Sequence, residues 1–222
     1  MDSLYTHHIV PGILEKDWQE IEKKIEIIKT FSNKIHIDFI DGKFVQNLTF
    51  LDPTPFSKYS NELYLEAHLM VEEPINCLNS FAKAGFKKFI GHVEKMGSQE
   101  EFVTQGELLG EVGLALDFPT PIEAIKVPFD DLDFVLLMTV SAGFSNQTFD
   151  QSSVQKIKDL RSKTTIPIEV DGGINDQTIV QCKEAGANIF VSTSYILGST
   201  NPFEQFNKLK SLVLSHKTEV LL

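Results

Sequence analysis

The chain has only two cysteines, no apolar run long enough to cross a bilayer, and no excess of basic residues. Cys77 and Cys182 fall in helix-like segments far apart in sequence, so the expectation is a pair of reduced, buried thiols rather than a disulfide framework. The longest clearly apolar stretch, 134–138, is far short of the ~20 residues of a membrane span. Residues 1–10 include His7 and His8 but no apolar core of a secretory signal, and the expected location is the cytoplasm. A net charge of −11 argues against nucleic acid as a partner, because that needs a basic face. It leaves an anionic substrate open, since helix N-termini and backbone N–H groups bind phosphate without Lys or Arg. Low-complexity segments and interdomain linkers are also missing, and 222 residues suit one domain, 1–222, with a sizeable core.

What recurs instead is a unit of short apolar strand, loop and amphipathic helix. The strand candidates are 9–14, 35–39, 63–70, 88–92, 113–116, 134–139, 168–170 and 189–191. Between them, Trp18, Ile21, Ile25 and Ile28 fall on one helical stripe, as do Val154, Ile157 and Leu160, and again Ile179, Cys182 and Ala185. Gly85 and Gly186 stand where helix C-termini are expected. The second and fifth helices are interrupted by Pro53 and Pro55 and by Pro119 and Pro121, leaving only short segments. Strands alternating with helices imply parallel pairing through right-handed crossovers. Eight such units predict an α/β fold of the (β/α)8 TIM-barrel kind. The competing doubly wound sheet wants a glycine-rich turn directly after the first strand, and Gly12-Ile13-Leu14-Glu15 is not one.

In a (β/α)8 barrel the site is built from the C-terminal strand ends. Here those ends are rich in chemistry. Residues 34–47 read K-I-H-I-D-F-I-D-G-K-F-V-Q-N, in which His36 and Asp38 share one face of a strand that Asp41-Gly42 terminates. Strand three places Glu66, His68 and Met70 on one face, strand four ends in His92 followed by Glu94, and strand seven ends in Asp171-Gly172-Gly173. Singly, each residue has a structural reading: an inward histidine is commonly a hydrogen-bonded core residue, and Asp before Gly-Gly a turn former. Together, His36, Asp38, His68 and Asp171 make a His2Asp2 set suited to one divalent metal ion, Zn, Fe, Mn or Co. Gly172 and Gly173 before a helix capped by Asn175 or Asp176, and Ser192-Thr193-Ser194 after strand eight, suit a phosphate cradle. His92 and Glu94 read as groups behind the site or at its rim, Lys87-Lys88 as a solvated turn, and His7, His8 and His216 carry no functional expectation.

These residues resemble the ribulose-phosphate 3-epimerase family over most of the chain. Val10-Pro11-Gly12-Ile13-Leu14, His36-Ile37-Asp38-Phe39-Ile40-Asp41-Gly42 with Phe44-Val45 and Asn47-Leu48-Thr49, Ala67-His68-Leu69-Met70-Val71, Leu137-Met138-Thr139-Val140 with Gly143-Phe144 and Gln147, and the 170–174 segment Val-Asp-Gly-Gly-Ile match its motifs in order. The resemblance implies a phosphorylated ketopentose substrate inverted at C3, with Asp38 and Asp171 as acid and base on opposite sugar faces. It also implies phosphate contacts at Gly143, Gly172, Gly173 and Ser194, and Met70 and Met138 near the metal. A homo-oligomer is compatible with it, although no segment marks an interface.

The substrate-covering positions depart from the family pattern. Gly12 stands where the family usually has Ser, Ile40 where it has Met, Gln46 where it has Pro, and Thr193 where it has Gly, while Ser141-Ala142-Gly143-Phe144-Ser145-Asn146-Gln147 replaces a proline- and glycine-richer loop. Two alternatives follow: the same chemistry on another ketose phosphate, such as a ketohexose 6-phosphate, or a non-catalytic sugar-phosphate binder on an old scaffold.

Overall fold

The computed structural model describes residues 7–144 and 147–214; Ser145, Asn146 and His216 lie outside the described residues. Its eight strands are β1 (His8–Ile13), β2 (Lys34–Ile40), β3 (Tyr64–Met70), β4 (Lys88–His92), β5 (Glu111–Leu116), β6 (Phe134–Met138), β7 (Ile168–Asp171) and β8 (Ile189–Ser192). All are parallel, each pairs with the next, and β1 pairs with β8, which closes the barrel and removes the open-sheet alternative. All eight strands are where the alternating apolar pattern puts them, within a residue or two at their ends.

Seven α-helices follow among the described residues: α1 (Trp18–Ile28), α2 (Leu78–Lys83), α3 (Gln99–Glu107), α4 (Ser153–Lys163), α5 (Thr178–Ala185), α6 (Ser194–Leu197) and α7 (Pro202–Leu214). Helix α1 starts at Asp17, whose carboxylate accepts from the Gln19 and Glu20 backbone N–H groups, and buries Ile21, Ile25 and Ile28. Gly85 and Gly186 end α2 and α5 with left-handed φ. After β2 and β5 no α-helix forms. The chain makes 3-10 turns at Thr54–Tyr59, Ile122–Ala124 and Phe129–Asp131, because the prolines that precede or open them remove backbone donors. Behind β2 the missing helix is replaced by rings: Phe39 lies 4.5 Å from Phe81, 5.6 Å from Phe86 and 5.8 Å from Phe56, centre to centre.

Side chains alternate across each strand, so Ile35, Ile37 and Phe39 join the core between strands and helices, while His36, Asp38 and Ile40 enter the barrel. The same period sends Lys88, Ile90 and His92 inward. Lys88 therefore corrects the expectation of a solvated turn: it is 2% exposed, and its ammonium meets the Glu66 and Glu169 carboxylates inside the barrel. The two thiols are free; Cys182 is buried, which pushes its pKa up to about 12, whereas Cys77 is half-buried rather than enclosed.

Candidate active site

Strand register builds the site. Asp38 on β2 pairs directly with His68 on β3, and Met138 on β6 with Asp171 on β7. The end of β2 is pinned by Thr49, whose hydroxyl donates to the Asp38 carbonyl at 2.8 Å and accepts from the Ile40 N–H at 2.8 Å. The Asp171 carbonyl is held in turn by the Thr139 N–H at 2.7 Å and the Thr139 hydroxyl at 3.0 Å. Both carboxylates are thus carried on backbone fixed from a neighbouring segment.

The four expected metal-ligating residues converge and are all buried. His36 Nε2 lies 3.4 Å from Asp38 Oδ1 and 3.8 Å from Asp171 Oδ2. His68 Nδ1 donates to Asp38 Oδ1 at 2.9 Å and lies 3.6 Å from Asp171 Oδ2. Its other nitrogen is 2.9 Å from His92 Nε2, and His92 Nδ1 donates to Glu94 Oε2 at 3.1 Å. His92 is therefore a support for His68, behind the set rather than part of it.

The two carboxylates differ in proton affinity. Burial alone would raise Asp38, but the His36 and His68 imidazoles beside it, the latter hydrogen-bonded to it, pull its pKa down to about 2. Asp171 is pushed up to about 6, first by burial and then by the neighbouring Asp38 charge. For His36, burial works against the charged form, yet the Asp38, Glu169 and Glu66 carboxylates outweigh it and hold its pKa well above the imidazole range.

Above this cluster opens a cavity of about 500 Å3, its solvent-filled mouth included, lined by Asp38, Asp171, Met70, Met138, Gly143, Gly172, Gly173 and Ser194. Every expected substrate-contacting residue is therefore on its wall. Leu14, Val140, Phe144, Gln147, Ile174, Val191 and Thr193 complete the lining. Gly172 and Gly173 both take left-handed φ, 111° and 65°, which turns the chain from β7 towards α5. Of the two candidate caps, Asn175 closes the turn into α5: its side-chain Oδ1 accepts from the Gln177 and Thr178 N–H groups, while Asp176 pairs with Lys208. Across the mouth, the Asn47 amide donates to the Gly143 carbonyl at 2.6 Å and ties the β2 loop to the β6 loop.

The profile described as "Ribulose-phosphate 3 epimerase family" matches residues 8–197. The chain belongs to that family. The ribulose-phosphate 3-epimerase of Schizosaccharomyces pombe is 34% identical over 214 residues, covering 93% of both chains. That of Bacillus subtilis is 35% identical over 212 residues, 91% of this chain and 97% of the other. A solved 3-keto-L-gulonate-6-phosphate decarboxylase from Vibrio cholerae matches with a TM-score of 0.71 at 10% identity, over 94% of this chain and 97% of that one, which shows a shared fold alone. Family membership makes the chain an isomerase of the carbohydrate-epimerase type. Among the described residues no helix is long and apolar enough to cross a membrane.

In this epimerase-family barrel the residues fit a divalent cation on physical grounds. Both nitrogens of His36 are buried without a hydrogen-bond partner, an arrangement that costs about 1–3 kcal/mol per polar group unless something compensates. Two imidazoles and two carboxylates are donors that borderline first-row ions accept. One layer deeper, Glu66, expected on the inward face of strand three, meets Glu169 and Lys88 beneath His36, two partners that sequence reasoning missed. The signal was available, since Glu169 is two residues before Asp171 and Lys88 four before His92, hence on the same inward faces.

Proposed function

We propose that the chain interconverts D-ribulose 5-phosphate and D-xylulose 5-phosphate by moving the proton at C3. The observation that carries this reading is the pair of buried carboxylates that meet at the cavity floor, Asp38 on β2 and Asp171 on β7. Inversion needs a base on one sugar face and an acid on the other. Asp38, the ionised member, takes the C3 proton, the C3–H electron pair moves towards the C2 carbonyl, and Asp171 returns a proton to the opposite face of C3. In the reverse direction the roles exchange. His36, Asp38, His68 and Asp171 would hold one divalent ion, which supplies Lewis-acid stabilisation of the negative charge that develops on the sugar oxygens. Backbone at Gly143, Gly172, Gly173 and Ser194 would receive the phosphate, and Met70 and Met138 form the apolar wall beside the carboxylates. Such a reaction belongs in the pentose phosphate interconversions of the cytoplasm.

The test is deuterium entry at C3 followed by NMR, with metal-loaded protein and D-ribulose 5-phosphate in D2O, alongside the xylulose product. Exchange with product supports the reading. Absence of both, in protein that carries stoichiometric metal, overturns it and directs attention to ketohexose 6-phosphates, whose kcat/KM would be measured beside the pentulose.

A further inference from the structure

Beneath the His2Asp2 set, two buried polar atoms face each other without a bond. His36 Nδ1 and Glu169 Oε1 lie 3.4 Å apart, and neither has a hydrogen-bond partner among the described residues. The far side of each group is committed. His36 Nε2 turns to Asp38 and Asp171, and Glu169 Oε2 accepts from the Lys88 ammonium. Glu66 Oε2, 3.6 Å from His36 Nδ1, is shared with the same ammonium. Lys88 is itself held in place, 2% exposed and with its charge 4.1 Å from the centre of the Phe134 ring. An imidazole that gives one nitrogen to an ion keeps its single proton on the other. On Nδ1, that proton meets Glu169 Oε1 and satisfies both orphaned atoms at once. On Nε2, it would close the nitrogen that faces the aspartates and set the Nδ1 lone pair against two carboxylate oxygens.

We propose that Glu169 is a positioning residue for the metal site: its free oxygen holds His36 by the Nδ1 proton, so that Nε2 offers its lone pair to the ion. Lys88 aims Glu169 by occupying the second carboxylate oxygen. This rests on the reading of His36, Asp38, His68 and Asp171 as metal ligands. The buried base of the barrel then does more than join strands, because it selects which nitrogen of His36 reaches the mouth. Neither Glu169 nor Lys88 touches the ion; both act through the imidazole.

The test uses zinc as the probe, with its Kd measured by chelator competition and Tm recorded for each protein. In Glu169→Gln, Lys88 has only donors to offer, so the amide oxygen turns to Lys88 and the amide NH2 faces His36 Nδ1. That arrangement opposes a proton on Nδ1, and zinc binding is expected to weaken about 10–100-fold. Adding Lys88→Met releases the amide to turn its oxygen to His36, and the double variant is expected to bind zinc about tenfold more tightly than Glu169→Gln alone. A purely structural role for the base layer predicts the reverse, a second loss added to the first. Independently of any variant, spectra of the zinc-loaded parent with 15N-labelled histidine should show the remaining His36 proton on Nδ1. A folded Glu169→Gln protein with unchanged zinc Kd, or a His36 proton found on Nε2, overturns the positioning role. A double variant weaker than Glu169→Gln overturns the aiming role of Lys88. A parent that binds no zinc removes the metal reading and this inference together, an outcome distinct from a tight-binding parent indifferent to Glu169.

Discussion

The barrel interior holds two buried acid clusters, one above the other, and they are neutralised differently. At the base, Glu66 and Glu169 face Lys88, whose ammonium lies 3.4 Å from Glu66 Oε2, hydrogen-bonds Glu169, and sits 4.1 Å from the centre of the Phe134 ring. At the mouth, Asp38 and Asp171 face only imidazoles among the described residues. The base carries its own permanent cation, and burial of Lys88 fails to discharge it because the two glutamates raise its pKa. The mouth lacks one, so its charge balance depends on protons or on an ion from solution. His36 stands between the layers, with Nδ1 3.4 Å from Glu169 Oε1 and Nε2 turned to the aspartates. A closed counter-ion makes structure; an open one leaves room for chemistry.

The sharpest way to break this contrast is at the mouth. Asp38→Asn and Asp171→Asn should each lower kcat by roughly 10²–10⁴-fold, the range of a general acid or base, in C3 deuterium exchange and in product formation. At the base the loss should be of stability instead. Lys88→Met leaves two buried carboxylates without their partner and should cost about 3–5 kcal/mol in urea unfolding. Replacing Glu66 and Glu169 by apolar residues as well should restore much of that loss.

The open charge balance also sets a pH dependence. In metal-free protein Asp171 has its folded pKa raised to about 6, so its contribution is fully present below about pH 4, the unfolded value, and is lost as pH rises through 6. Asp171→Asn, fixed in the neutral form, should therefore be more stable than the parent at pH 8 by up to about 3 kcal/mol, with the gap closing near pH 4. Adding Mn or Zn to the parent at pH 8 should raise its Tm, by about 2.7 kcal/mol of stabilisation at a hundredfold excess over Kd. The same addition should do nothing for Asp171→Asn beyond what a weaker three-ligand set allows. Smallest is a change outside both layers: Ser98→Ala removes the hydroxyl that accepts from the Glu101 N–H at the start of α3, and should cost about 1 kcal/mol with kcat untouched.

Much of this architecture is legible in the residues alone, and the reasons are local. The strands announce themselves because each is buried on both faces and bounded by turn chemistry, and α1, α4 and α5 because an apolar stripe at helical spacing has one meaning. His36, Asp38, His68 and Asp171 were readable because polar residues at inward positions of apolar strands have little structural excuse. Lys88 was misread for the opposite reason: beside Lys87 and after the Gly85 turn it looks like surface, and only its period-2 relation to Ile90 and His92 betrays it. The closeness of Gly12 to Thr193, whose Oγ1 lies 2.3 Å from where a Gly12 β-carbon would stand, was beyond reach, since it joins residues 181 positions apart across the seam that closes the barrel.

The rings behind β2 have one more use. Trp18, the chain's single tryptophan, lies 5.0 Å from Phe56 and 5.6 Å from Phe50, with the Lys58 ammonium 5.4 Å from its centre. This places the only indole behind Phe56, which packs on Phe39 of the strand that presents His36 and Asp38, and beside Phe50 of the loop that follows that strand. Its emission is thus a built-in optical gauge of that wall and of the loop root beside it: a variant that empties the site without disturbing β2 or the loop after it should leave the spectrum alone, and one that loosens either should shift it to the red.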